Sequence, residues 1–181
     1  MPSILSHPAV PLAIGIGLGP DTISKRLLWA GVFVSILPDL DVLAFRFGIA
    51  YSSHIGHRGF SHSILCAFLI GLMGAFAAPW FKARFRTVFL YIFESMASHG
   101  ILDSFTNGGL GIAFLWPWKD ERYFAPFRVI EVAPIGLSRF LSPRGLAVLY
   151  SEFLWVWLPC LGVGAILFMI RKKCSCITKR V

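Results

Sequence analysis

The sequence predicts an all-α, polytopic membrane helical bundle of about five segments, and three observations carry that expectation. Apolar residues make up 56% of the chain and charged residues only 14%, where an average soluble domain has about 25% charged. Mean hydropathy is +0.72. The apolar residues gather in stretches near the length of a membrane-crossing helix, joined by short basic or proline-containing pieces. One integral membrane domain covering residues 1–181 is the expected organisation.

Residues 8–19 are apolar and glycine-rich but form a marginal span, since a crossing helix needs about 20 residues. The first 24 residues hold no Lys or Arg, so the positive start of a signal peptide is missing and the stretch is expected to stay in the membrane. Residues 27–47 are long enough to cross and carry Asp39 and Asp41 in their second half. Pro38 disfavours helical geometry at Leu37, which predicts a kink or break that would let both carboxylates face one centre. Residues 61–81 form the third segment, broken at its end by Pro79, and residues 87–105 the fourth, with Glu94, His99 and Asp103 inside it. Residues 146–170, interrupted by Glu152 and Pro159, are expected to be a C-terminal membrane anchor.

Between residues 108 and 144 the composition turns mixed, with Trp116-Pro117-Trp118, the run Lys119-Asp120-Glu121-Arg122, and Pro126, Pro134 and Pro143. Loops of that length in compact proteins are usually functional or disordered. The aromatic and proline content predicts an ordered cap at the membrane interface.

Net charge is +8, but the basic residues sit beside hydrophobic ends: Lys25-Arg26, Lys82, Arg84 and Arg86, Arg171-Lys172-Lys173, and Lys179-Arg180. That is the pattern of cytoplasmic anchoring against membrane lipid. No basic stripe interleaves with aromatics, so nucleic acid is not an expected partner. The four cysteines show no metal-knuckle spacing and imply no disulfide framework. Cys66 and Cys160 read as packing residues, and Cys174 and Cys176 as reduced thiols in the tail, with acylation the alternative.

Placing the basic tracts in the cytoplasm puts the N-terminus outside. His7, the Asp39/Asp41 pair, His57, His62 and Asp103 then all fall toward the outer leaflet. Ionisable groups are expensive near lipid and usually mark function there. Asp and His together are what a divalent metal such as zinc or manganese takes. His99 and Asp103, spaced i, i+4, share one helix face; a simple His–Asp hydrogen bond is the plainer alternative. His57 and His62 bracket Gly59, and Arg58 between them could pair with a phosphate or carboxylate or reach toward headgroups. Two such residues from each of three segments match the ligand supply of a one- or two-metal hydrolase.

The order Pro-Asp-Leu-Asp (38–41), His-Arg-Gly-Phe-Ser-His-Ser (57–63) and Ser-His-x-x-x-Asp-x-x-Thr (98–106) resembles the YdjM-like family, bacterial inner-membrane proteins described as metal-dependent hydrolases. His7 and Leu115-Trp116-Pro117 also fit, so the resemblance covers roughly residues 7–130. Two departures are Pro8 directly after His7 and the presence of Glu94. The resemblance implies a location in the bacterial inner (cytoplasmic) membrane. A weaker likeness, at the level of fold alone, is to the zinc-dependent phospholipase C and nuclease bundle.

The expected function is a membrane-bound metal-dependent hydrolase acting on an ester or phosphoester of a lipid-like substrate at the outer leaflet. His7, Asp39, Asp41, His57, His62, His99 and Asp103 would hold one or two divalent ions, zinc or manganese. Water activated there would attack, and Arg58 would act catalytically by steadying the developing negative charge. The alternatives are a metal or proton translocator, which Glu94 at another depth would serve, and a non-catalytic structural membrane protein.

Overall fold

A computed structural model describes residues 1–134 and 136–178, with the side chains of Leu137 and residues 175–178 set aside; Lys179, Arg180 and the Cys176 side chain lie outside what is described. Among the described residues the chain is all-helical, with no strand.

Helix α1 (Ala9–Leu18) ends at Gly19, which takes φ 80° and returns its N–H to the Gly15 carbonyl. A side chain at Gly19 would strike the Arg171 guanidinium as well as strain the backbone. Helix α2 (Lys25–Ile36) is capped by Ser24, whose hydroxyl accepts from the Leu27 N–H and donates to the Phe81 carbonyl. At Leu37 the α-helix tightens into a 3-10 helix (Leu37–Phe47), because Pro38 has no N–H to continue the ladder. The break expected at Pro38 is therefore a change of helix type without a gap in the chain's helical course.

Helix α3 (Ile64–Phe76) starts at Ser63, whose hydroxyl accepts from the Cys66 N–H. It buries Ala67, Gly71 and Ala75, a narrow stripe that lets it lie close against the next long helix. The short α4 (Ala78–Phe81) carries Pro79 in its first turn and leads into α5 (Phe85–Ser104), the central helix. A loop follows, tied by isolated bridges between Thr106 and Ile130 and between Ile112 and Tyr123. After α6 (Leu137–Phe140), the chain runs through α7 (Pro143–Glu152), one π-helical stretch (Phe153–Trp157) and α8 (Leu158–Thr178). Pro159 leaves a carbonyl without its usual donor, and the π stretch just before it absorbs that mismatch, so the helix is not interrupted there.

Contacts along the helices fix their directions. The Tyr91 hydroxyl reaches the Pro11 carbonyl, Phe76 packs on Phe85, Gly31 abuts Tyr91 and Ser95, and Gly164 abuts Ala13. So α1, α3 and α8 run one way, and α2 and α5 the other. Lys25, Arg26, Lys82, Arg84, Arg86 and Arg171 gather at one end. At the opposite end lie the start of α1, the 3-10 helix after α2, the start of α3 and the end of α5.

Two helical stretches, Lys25–Phe47 and Pro143–Cys174, are long and apolar enough to cross a membrane, and Ala9–Leu18 and Ile64–Phe76 are shorter apolar helices. Outward-facing side chains include Trp29, Phe33, Leu69, Met73, Phe76, Leu146, Leu161, Ile166 and Ile170. The buried set contains as many polar and charged residues as apolar ones. Apolar outside and polar within suits a lipid solvent.

Candidate metal centre

Four elements meet at the end of the bundle away from the basic tracts. The turn before α1 supplies His7, the 3-10 helix supplies Asp39 and Asp41, and the segment before α3 supplies His57, Arg58 and His62. The end of α5 supplies His99 and Asp103. All are buried except Asp41, which is partly so; His7, Arg58, His99 and Asp103 are fully enclosed.

Asp39, His62, His99 and Asp103 each place a donor atom within 4.8 Å of the others. His99 Nε2 lies 3.1 Å from His62 Nε2 and 3.3 Å from Asp39 Oδ1, and His62 Nε2 lies 3.6 Å from Asp103 Oδ2. His7 faces the other oxygen of each carboxylate, with Nε2 3.7 Å from Asp39 Oδ2 and 3.8 Å from Asp103 Oδ1. Its ring stacks on His99 at 3.7 Å between centroids. The two aspartates thus span a histidine pair on one side and a single histidine on the other.

Asp41, His57 and His62 form a second group with the same spacing. Asp41 Oδ1 lies 2.5 Å from His57 Nδ1, and its Oδ2 lies 3.3 Å from His62 Nδ1. The Ser61 hydroxyl and the Arg58 N–H also donate to Asp41 Oδ2. His62 is therefore shared, its Nδ1 toward Asp41 and its Nε2 toward His99. Asp39 and Asp41 do not face one point: the tight 3-10 turn sends them to opposite sides of His62.

Arg58 sits at φ 65°, in the left-handed region that a bulky residue rarely takes. Its Nε lies 3.1 Å from Asp103 Oδ2, and its other nitrogens donate to the carbonyls of Gly108 and Leu110 and to the Thr106 hydroxyl. The guanidinium thus ties Asp103 to the loop after α5. His54, the fifth histidine, is on the surface beside Asp120.

Both ring nitrogens of His7 and both oxygens of Asp39 and Asp103 are buried without a hydrogen-bond partner. Native interiors rarely leave such groups unsatisfied, and an ion is one standard reason when they do. Burial, then the neighbouring His99, pushes the His7 imidazole down to about 3. It is therefore neutral at ordinary pH, the form that binds a metal. Nitrogen and carboxylate donors in this arrangement could hold a metal ion.

Residues 1–174 match the family described as YdjM inner membrane protein. The chain belongs to that family. Like this YdjM-family chain, the Escherichia coli (strain K12) inner membrane protein YbcI has the same overall extent: the two are 49% identical over 173 residues, 95% of this chain and all of YbcI. No solved structure matches the chain. The YdjM family and YbcI are both named for the inner membrane, and with its apolar helices this chain is an inner-membrane protein.

Three contributors had no role assigned from the sequence, although Ser61 and Thr106 stand within the motifs quoted above. The Ser35 carbonyl accepts from His99 Nδ1, Ser61 joins Asp41 to His62, and Thr106 holds Arg58. Backbone acceptors and lone hydroxyls have no spacing rule. Thr106 stands at the helix end three residues after Asp103 and is bonded to its carbonyl.

Proposed function

We propose that the YdjM-family cluster is the metal centre of a membrane-embedded hydrolase that cleaves an ester or phosphoester in a lipid-like substrate. One observation supports this above the rest: buried Asp and His donors converge from separate elements while six of their atoms lack partners. A divalent cation there would supply Lewis-acid activation of water and of the scissile group. Asp39, His62, His99 and Asp103 hold the first ion, with His7 on the far oxygens of the two carboxylates. Asp41 and His57 hold a second ion or, without one, act as the general base. Arg58 acts through Asp103, whose charge it balances.

A groove of about 510 Å³ supports an amphiphilic substrate. Leu37, Leu40, Phe47, Phe60, Ile70 and Met96 wall it, and Asp41 and Ser61 are its polar floor. An acyl chain in the groove would bring its ester end to the cluster. Five membrane segments, with the basic end in the cytoplasm, would put this mouth at the outer leaflet. Against a translocator, Glu94 faces a separate apolar groove with Ile14, Leu18, Leu90 and Phe93, where no second carboxylate or imidazole continues a path.

Metal analysis by mass spectrometry on detergent-purified protein tests the proposal, beside a His99→Ala/Asp103→Ala variant. About one or two equivalents of zinc or manganese are expected in the parent and none in the variant, followed by chelator-sensitive hydrolysis of phospholipids. A parent that takes no metal after reconstitution overturns the proposal.

A further inference from the structure

The histidines of the cluster differ in what orients them. Metal-binding imidazoles are normally held by a hydrogen bond to the nitrogen that faces away from the ion. His99 has the Ser35 carbonyl, His57 has Asp41, and His62 has Asp41 and Ser61. His7 has no such partner on either nitrogen. Its ring is placed only by stacking on His99 and by the backbone that carries it.

That backbone is fixed from the other end of the chain. Glu152, at the end of α7 and 1% exposed, accepts from the Ser3 N–H and, at 2.7 Å each, from the hydroxyls of Ser3 and Ser6. The Trp157 indole N–H donates to the Ser6 hydroxyl at 3.2 Å. Within the segment, the Ser6 N–H bonds to the Ser3 carbonyl and the Ala9 N–H to the Ser6 carbonyl, so residues 3–9 form consecutive turns. His7 follows Ser6 directly. A buried carboxylate satisfied entirely by this segment leaves it little freedom to move.

We infer that Glu152 is a positioning residue for the metal centre, acting through Ser3 and Ser6 to hold His7 against Asp39 and Asp103. The last membrane helix supplies no donor to the cluster, yet it sets the place of one. This rests on the metal reading above, and it assigns α7 and its π-helical continuation a part in the site beyond anchoring.

The experiment is a double-mutant cycle on zinc affinity, measured by competition with a chelating dye on the full-length protein in detergent, with melting followed in parallel. Glu152→Ala and His7→Ala are each expected to weaken zinc by roughly 10–100-fold, the usual effect of losing a ligand's support. The double variant is expected to bind no more weakly than His7→Ala alone, since Glu152 then has nothing left to position. Glu152→Gln, which keeps the size and one acceptor, is expected to recover part of the loss, and Ser6→Ala to reproduce it in smaller measure. These two variants carry the test if Glu152→Ala fails to fold. Losses that multiply in the double variant, or Glu152 and Ser6 variants with the parent's affinity, would overturn the inference while leaving the metal centre intact. A parent that binds no zinc would instead remove the reading beneath it.

Discussion

The Ser35 carbonyl lies 2.7 Å from Nδ1 of His99 and decides how that histidine meets the cluster. A carbonyl can only accept, so Nδ1 carries a hydrogen and Nε2 is the nitrogen turned toward Asp39 and His62. The helix-to-helix spacing of α2 and α5 is thereby built into the chemistry of the site.

Gly31 sets that spacing. A Cβ there would come within 2.4 Å of Tyr91 and 2.9 Å of the Ser95 hydroxyl. Gly31→Ala is expected to push α2 off α5, costing about 1–3 kcal/mol of stability and lowering zinc affinity about tenfold. A melt and a competition titration read both. Lowered stability with unchanged affinity would mean that the cluster does not depend on this contact.

The two aspartates of the 3-10 helix are expected to behave differently. Asp39 has no hydrogen-bond partner on either oxygen, whereas Asp41 accepts from Ser61 and from the Arg58 N–H. Asp39→Asn is expected to abolish metal binding. Asp41→Asn is expected to keep one ion with affinity reduced about 10–100-fold. Equal and complete loss in the two variants would put Asp41 in direct contact with the first ion.

Removing Arg58 leaves Asp103 buried without its cation. Arg58→Ala is expected to destabilise the protein by about 3–5 kcal/mol, seen as a large drop in melting temperature. Arg58→Lys is expected to fall between, since one ammonium cannot serve Asp103, Thr106 and two carbonyls at the fork's positions. Parent-like melting of Arg58→Ala would show that the pair contributes little.

Acid should loosen the metal-free protein through His7. Its folded pKa, about 3, lies below the ordinary histidine value of 6.5. Below pH 6.5 the unfolded chain takes up a proton that the folded one refuses, so stability falls as pH drops from 6.5 toward 3. For one group the limiting slope is about 1.4 kcal/mol per pH unit. Denaturant titrations across that window should show a shallower decline in His7→Gln, and an identical decline would place the sensitivity elsewhere.

If the groove beside Asp41 takes an acyl chain, filling it should select among substrates. Ile70→Trp is expected to cut hydrolysis of long-chain esters several-fold more than that of short-chain ones, with metal content unchanged. Equal effects on both chain lengths would argue against the groove as the tail's seat.

Much of the helical order was legible because it depends on local rules. Proline without an N–H marks the change at Leu37, and apolar runs of fixed length mark α3 and α5. The i, i+4 spacing of His99 and Asp103 told that they share a face, and in the fold both are enclosed in the cluster. What sequence could not give is contact at long range. Glu152 read as an interruption in an anchor because nothing local links it to Ser3, 149 residues away. Arg58 read as a group free to meet substrate because its partners, Asp103 to Leu110, come from another segment. Local spacing names donors, whereas only the fold says what each donor already holds.

The clamp at Glu152 also bears on the order of assembly. His7 precedes every helix among the described residues, yet the Glu152 side chain proposed to position it is synthesised after α1 to α6. A nascent chain would therefore carry His7 without this support until α7 is made. On the proposed role of Glu152, that support comes only once α7 has docked, and a chain truncated before residue 152 would keep the stacking of His7 on His99 but lack the carboxylate that holds Ser3 and Ser6.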